Sequence, residues 1–309
     1  MIVRAARPLL AGLLVVAAAT ACDSAGAAGG TGAVPTPRTA ADLTLPFDAY
    51  DLSAEEREAV DKARFLMLAH CTRTFGVELK PVTAPAPIRR GRSADHVGWL
   101  GDLQVEKYGY AGPPQRLAVN YTGYTVSDEQ HAVIAGRRRA FHGKAVPAGG
   151  CMGQVAELLN QGSLELLGGR AARVNEENDL EVLADEASEA ASTDPRRREA
   201  ERAWSACMRD VGFDYADTGA AVGDPRWANT AKDDQSPEPR GTTAEIATAT
   251  ADAACRLSTN YYGARQAAYR DSQQRIIAAN QARLDRIKII NRTQLTNARR
   301  FLAGDLVMA

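Results

Sequence analysis

The sequence predicts a mainly α-helical protein: disulfide-stapled helical modules with long irregular loops and a long amphipathic helix near the C-terminus. Three observations carry that expectation. Capping boxes recur at Ser53-Ala54-Glu55-Glu56, Ser127-Asp128-Glu129-Gln130 and Thr242-Thr243-Ala244-Glu245, where a hydroxyl and a Glu or Gln three residues on can each take a free backbone N–H. Four cysteines, Cys71, Cys151, Cys207 and Cys255, follow an export-type N-terminus. No proline interrupts residues 242 to 304.

The chain has 309 residues and a net charge of −1, a balance that suits one or two globular domains and offers no nucleic-acid surface. Aromatic residues make up only 6%, so much of the core must come from Ala, Leu and Val. Residues 1–21 read as a lipoprotein signal peptide. Arg4 and Arg7 form its basic start, and Leu9 to Ala19 an apolar run too short for an ordinary membrane span. The segment ends in Ala19-Thr20-Ala21-Cys22, similar to a bacterial lipobox, in which Cys22 becomes the palmitate-bearing first residue of the mature protein; ordinary secretion with cleavage nearby is the competing reading. Residues 22–46, rich in Gly, Ala, Pro and Thr, are expected to form a flexible tether.

The helix capped by Ser53 should run to about Phe75 and stop at Gly76. Val60, Ala63, Met67, Cys71 and Thr74 form its inward stripe, with His70 packed beside it. Pro81, Pro85 and Pro87 exclude a helix after it. The glycine-rich stretch from Ser93 to Val126 carries Trp99, Tyr108, Tyr110, Tyr121 and Tyr124, with a short strand expected over Val119–Val126. Trp99, Tyr108, Tyr110 and Tyr124 are candidate binding aromatics, able to stack on sugars. The favoured alternative is that they pin an irregular loop to a small core.

Ser127 should open a helix ending before Gly143, and Cys151 a helix over about 152–167 with Val155, Leu158, Leu159 and Leu166 inward. Asn175 should cap an acidic helix that buries Leu180, Leu183, Ala184 and Ala187. Asp194-Pro195 begins the sharpest amphipathic helix, with Ala200, Ala203, Trp204, Cys207, Met208 and Val211 on one stripe and Gly212 at its end. Trp227 should anchor the loop that follows. One helix across the proline-free C-terminal segment would be roughly 90 Å long, so a break is expected near Asn260-Tyr261-Tyr262-Gly263. The helix after it carries Tyr269, Ile276, Leu284, Ile287, Leu295, Ala298 and Leu302 at spacings too irregular for a sustained coiled coil.

Cys71-Thr72-Arg73-Thr74-Phe75-Gly76 and Cys207-Met208-Arg209-Asp210-Val211-Gly212 share one plan: Cys-x-Arg-x-apolar-Gly at a helix end. Two modules are therefore expected, residues 47–192 with Cys71 and Cys151, and 193–309 with Cys207 and Cys255. Four cysteines allow three connectivities. Equivalent cysteines of two modules bond more readily within their own module, which favours Cys71–Cys151 and Cys207–Cys255. No metal site is expected, because no close Cys-x-x-Cys pair exists.

Ala203-Trp204-Ser205-Ala206-Cys207-Met208, Gly212-Phe213-Asp214-Tyr215 and Ala251-Asp252-Ala253-Ala254-Cys255 resemble an uncharacterised family of secreted actinobacterial lipoproteins, as do Tyr108-Gly109-Tyr110 and Pro147-Ala148-Gly149-Gly150-Cys151. The resemblance implies a protein without a recognised catalytic site, in some members encoded near envelope ABC exporters.

No motif of a common enzyme class is present. There is no zinc-binding His-Glu-x-x-His, no phosphate loop, and Gly162-Ser163-Leu164 lacks the second glycine of a hydrolase elbow. His96, His131 and His142 lie apart, and the acidic run 175–189 lacks the pattern of a calcium loop. The expectation is a non-enzymatic, lipid-anchored protein on the outer face of the cell membrane, without cofactor. It would act as a binding or accessory component toward an envelope protein, an ABC exporter among them, or the cell wall. The alternative is a small-molecule or peptidoglycan-binding lipoprotein using the aromatics. An exposed apolar stripe on the C-terminal helix would favour the first, an apolar pocket of several hundred cubic ångströms with converging polar groups the second. Anchoring is directly testable. Wild type should partition into detergent phase, and Cys22→Ala should be released or stall uncleaved; wild type soluble in the medium with a mature N-terminus elsewhere would contradict lipidation.

Overall fold

Ser53 Oγ accepts the N–H of Glu56 at 3.1 Å and the Glu56 carboxylate accepts that of Ser53 at 3.0 Å, so the first long helix starts where the sequence places it. This is a computed structural model, and it describes residues 34–85, 92–169, 178–227 and 241–308. The signal segment, Cys22, the first part of the tether and the Asn175 cap lie outside them.

Helix α1 spans Ala54–Arg73 and buries Val60, Ala63, Met67 and Cys71, while Thr74 and His70 stay exposed. Strand β1 (Val82–Pro85) pairs antiparallel with β2 (Leu117–Asn120), from Val82 opposite Asn120 to Pro85 opposite Leu117. Between them lie α2 (Arg92–Val97) and α3 (Val105–Tyr108). The expected strand over 119–126 is thus displaced. Asn120 Oδ1 accepts the Thr122 N–H at 2.9 Å and turns the chain, which sends Tyr121, Tyr124 and Val126 onto the α1 core.

The Ser127 capping box forms, but its helix α4 (Asp128–Ile134) ends well before Gly143. Gly136 (φ +70°) stops it, where a Cβ would lie 2.4 Å from the backbone of Gly149 and Gly150. Only glycine tolerates both that φ and that approach. A hairpin of β3 (Ala140–Phe141) and β4 (Lys144–Ala145) replaces the expected helix, and His142-Gly143, both at positive φ, make its turn. Helix α5 covers Gly150–Leu159 rather than reaching 167; a separate 3₁₀ turn at Leu164–Leu167 buries Leu167 in place of Leu166.

Helix α6 (Leu180–Ser192) is capped by Asp179 rather than by the expected Asn175, and it buries Leu180, Leu183, Ala184 and Ala187 as expected. Asp194 caps α7 (Pro195–Asp210), which hides Ala200, Trp204 and Met208; Val211, past the helix end, is exposed instead of joining the stripe. After α8 (Thr218–Val222), Trp227 is buried and donates its indole N–H to the Ala221 carbonyl at 2.8 Å. Thr242 caps α9 (Thr243–Ser258), and the buried Glu245 carboxylate accepts the N–H groups of Tyr110 and Ala111. Asn260, left-handed at φ 51°, makes the expected break before α10 (Tyr261–Ala303), which bends again at Asn280.

Both disulfides form as the repeat predicts, Cys71–Cys151 and Cys207–Cys255. Closing loops of 80 and 48 residues restrains the unfolded chain by about 4 kcal/mol each on the chain-entropy model. The expected module boundary at 192/193, however, is not a boundary in space. Val34–Ala309 is one compact unit. Leu295 and Ala298 of α10 complete the core around α1 and α5, while Leu43, Ala94, Val97 and Trp99 enter the core of α7 and α9. The tether is also shorter than 22–46, because Leu43, Leu45 and Phe47 are buried and Asn260 Nδ2 donates to the Val34 carbonyl.

The central polar feature is Asp252, fully buried on α9. It accepts the Trp204 indole N–H at 2.7 Å, the Arg256 guanidinium at 2.6 and 2.9 Å, and the Tyr110 hydroxyl at 3.0 Å. Arg256 also donates to the Gly98 carbonyl at 2.7 Å. Trp204→Ala should destabilise the fold by about 3–5 kcal/mol through cavity formation. Asp252→Ala should cost a similar ~3–5 kcal/mol, because it strands a buried guanidinium. Urea unfolding measures both, and a loss under ~1 kcal/mol for either would mean the cluster is not the core of this half.

Candidate groove between α1 and α5

Two helices present side chains at the same helical spacing toward one cavity of about 400 Å³. From α1 come Asp61, Arg64, Phe65 and Leu68; from α5 come Met152, Val155, Ala156 and Leu159. Residues three, four and seven apart lie along one helix face, so each set forms a wall. The turn after β2 lays Tyr121, Thr122 and Tyr124 along the opening, and Asn160 and Gln294 complete the lining. Cys71–Cys151 fastens the two walls to each other.

The polar groups differ in how far they are engaged. Gln294 Nε2 donates to Asn160 Oδ1 at 3.0 Å, and Asn160 Nδ2 donates to the Ala156 carbonyl at 2.8 Å, so these amides hold one another. Arg64 donates to Asp61 at 2.7 Å; the arginine side chain is about half exposed (48%), the aspartate 22%. Burial raises the Asp61 pKa above the ordinary carboxylate value, outweighing the opposing charges of Arg64 and Arg57, and Glu58 adds to the rise. Burial also raises the Tyr124 hydroxyl. The Phe65 and Tyr121 rings meet at 5.7 Å between centroids, and Lys62 Nζ lies 6.0 Å from the Tyr121 ring centre.

The four aromatics singled out in the sequence do not form one site. Trp99 is buried against Tyr262 at 4.8 Å, Tyr110 belongs to the Asp252 cluster, and Tyr108 carries Lys107 over its ring at 4.6 Å. Only Tyr124 reaches the groove, joined there by Tyr121 and Phe65. A glycine-rich sequence separates these aromatics, and its turns send them to different cores. Asp61, Arg64, Phe65 and Leu68 were passed over in the sequence because they run beside the stronger core stripe of α1. A second stripe at the same spacing was the available signal.

Among the described residues no group of three or more His, Cys, Asp and Glu side chains is arranged to hold a metal, and no helix is long and apolar enough to cross a membrane. Comparison with protein-family models, curated proteins and solved structures finds no match.

The raised Asp61 pKa has a defined sign for stability. The folded state takes up a proton more readily than the unfolded chain, so this group's contribution is full at low pH and is lost as pH rises through the raised value. The pair with the half-exposed Arg64 offsets only part of that loss, since burial outweighs it. Asp61→Asn should therefore unfold at a higher temperature than wild type at pH 7, and the difference should vanish as pH falls below the carboxylate range. Thermal unfolding across pH checks this, and a variant less stable at pH 7 would contradict it.

Proposed function

We propose that this protein is a binding lipoprotein, held at the outer face of the cell membrane through Cys22, that takes the apolar part of a small ligand between α1 and α5. The observation that carries the reading is the groove: about 400 Å³, walled by Phe65, Leu68, Val155 and Leu159, with Asp61, Arg64, Thr122, Asn160 and Gln294 among its polar lining. Ligand sites in proteins have this size and makeup. Among the described lining residues there is one carboxylate and no histidine, serine or cysteine, a set suited to holding a molecule rather than to acid–base or nucleophilic turnover.

The lipobox-like Ala19-Thr20-Ala21-Cys22 and the resemblance to secreted actinobacterial lipoproteins support the location. Docking of an envelope protein on the C-terminal helix would draw support from an exposed apolar stripe there. Instead α10 buries Ile276, Leu284, Ile287, Ile290 and Leu295; its exposed Ile289 and Leu302 fall on opposite sides of the helix. Peptidoglycan recognition by Trp99, Tyr108, Tyr110 and Tyr124 together loses its basis, since those rings are dispersed.

Filling the groove tests the reading. N-phenyl-1-naphthylamine, a neutral apolar dye, should brighten on wild-type protein. Ala156→Trp should weaken its binding about tenfold or more, the loss of ~1.4 kcal/mol or more of apolar contact. Equal dye affinity in a variant that retains the wild-type unfolding temperature would reject the groove as the site.

A further inference from the structure

Resting on the groove as a binding site, we infer that its ligand is a small organic ammonium: an apolar body lying between α1 and α5 and a cationic head received by Asp61 beside the rings of Phe65, Tyr121 and Tyr124. Among the described lining side chains Asp61 is the one anion and Arg64 the one cation, and the carboxylate is the less exposed of the two. Arg64 meets it from a half-exposed position on the same helix, a kind of pair that holds little energy and yields readily. Arg57, one turn before Asp61 on α1, is engaged by Asp51 through two hydrogen bonds of 3.1 Å and by the Leu52 carbonyl. It is not available to a ligand. The carboxylate thus sits in the wall with its burial incompletely offset, as its raised pKa also indicates.

The rings supply the second half of the recognition. An ammonium is drawn to the face of an aromatic ring within about 6 Å, and a carboxylate at the edge of such rings adds direct charge pairing. Lys62 already places an ammonium 6.0 Å from the Tyr121 centroid, so that ring is within reach of a cation. Tyr121 and Phe65 are tilted 58° to each other rather than stacked flat. An anionic head would meet Asp61 while Arg64 is already paired with it. A neutral head would leave the Asp61 carboxylate as it is. The amides Asn160 and Gln294 satisfy each other and ask for no charged partner, which suits the uncharged body.

The test uses three probes with one body and three heads: octylammonium, 1-octanol and octanoate. They are titrated calorimetrically, below their micellar range, into the chain from residue 22 carrying Cys22→Ser so that no lipid is attached. Octylammonium should bind about tenfold more tightly than octanol, equivalent to ~1.4 kcal/mol, with octanoate the weakest. Asp61→Asn should bring the ratio of octylammonium to octanol affinity close to one. Arg64→Gln, which removes the competing guanidinium, should raise that ratio above wild type, an effect that a damaged fold would not produce. Octanoate binding as well as octylammonium, or a ratio unmoved by Asp61→Asn, would overturn the ammonium assignment while leaving the groove as an apolar site. If none of the three binds, the groove reading itself falls.

Discussion

The charge of Asp252 must be satisfied without water, and much of one half of the structure is arranged to do so. A fully buried carboxylate is tolerated only with close, multiple donors. Here they come from three separate stretches of chain: Trp204 on α7, Arg256 one turn further along α9, and Tyr110 from the irregular region before β2. Arg256 passes the constraint on to the Gly98 carbonyl, and Glu245 on the same helix holds the N–H groups of Tyr110 and Ala111. Burial, followed by the neighbouring Asp252 charge, pushes the Tyr110 hydroxyl far above its ordinary range, so it stays protonated and donates. A glycine-rich loop that also buries Trp99, Leu100, Leu103 and Val105 is thereby fixed by polar contacts as well as apolar ones.

The same residues give physical content to the sequence motifs of this half. Trp204, Cys207 and Met208 lie on one helix face; Asp252 and Cys255 lie on another; one hydrogen bond and one disulfide join the two faces. Neither helix could bury these groups without the other. The second disulfide does a different task, tying α1 to α5 and so holding apart or together the walls of the groove. Helix α10 connects the two regions, contributing Tyr261 and Tyr262 to one core and Leu295 and Ala298 to the other. Its bend at Asn280 lets one helix of 43 residues follow both.

That arrangement separates an enclosed polar cluster from an open groove. The Asp252 cluster is enclosed and saturated. The groove is open, mostly apolar, and edged by a weak ion pair and by tyrosines on a turn. The proposed ligand role needs polar groups that are lightly engaged, and the disulfide between the two walls limits what that openness costs in stability.

Residues near one another in sequence settled the features that the sequence alone determined. Ser53 with Glu56, Ser127 with Gln130, and Asp194 with Pro195 start helices through contacts spanning three residues or fewer, so local chemistry suffices. The break at Asn260 followed from helix length, and the disulfide partners from a repeated helix end. Tertiary structure decided the rest. The helix after Ser127 stops at Gly136 because Gly149 and Gly150 cross there, an approach from a distant stretch that no local pattern encodes. The supposed tether folds from Val34 because α10 offers surfaces to Leu43, Leu45 and Phe47. The groove exists because a disulfide and a turn after β2 bring Phe65, Tyr121, Tyr124 and Val155 to one cavity from three separate segments. Periodicity reports which face of a helix is apolar, whereas only packing determines whether that face is covered by the core or left open to a ligand.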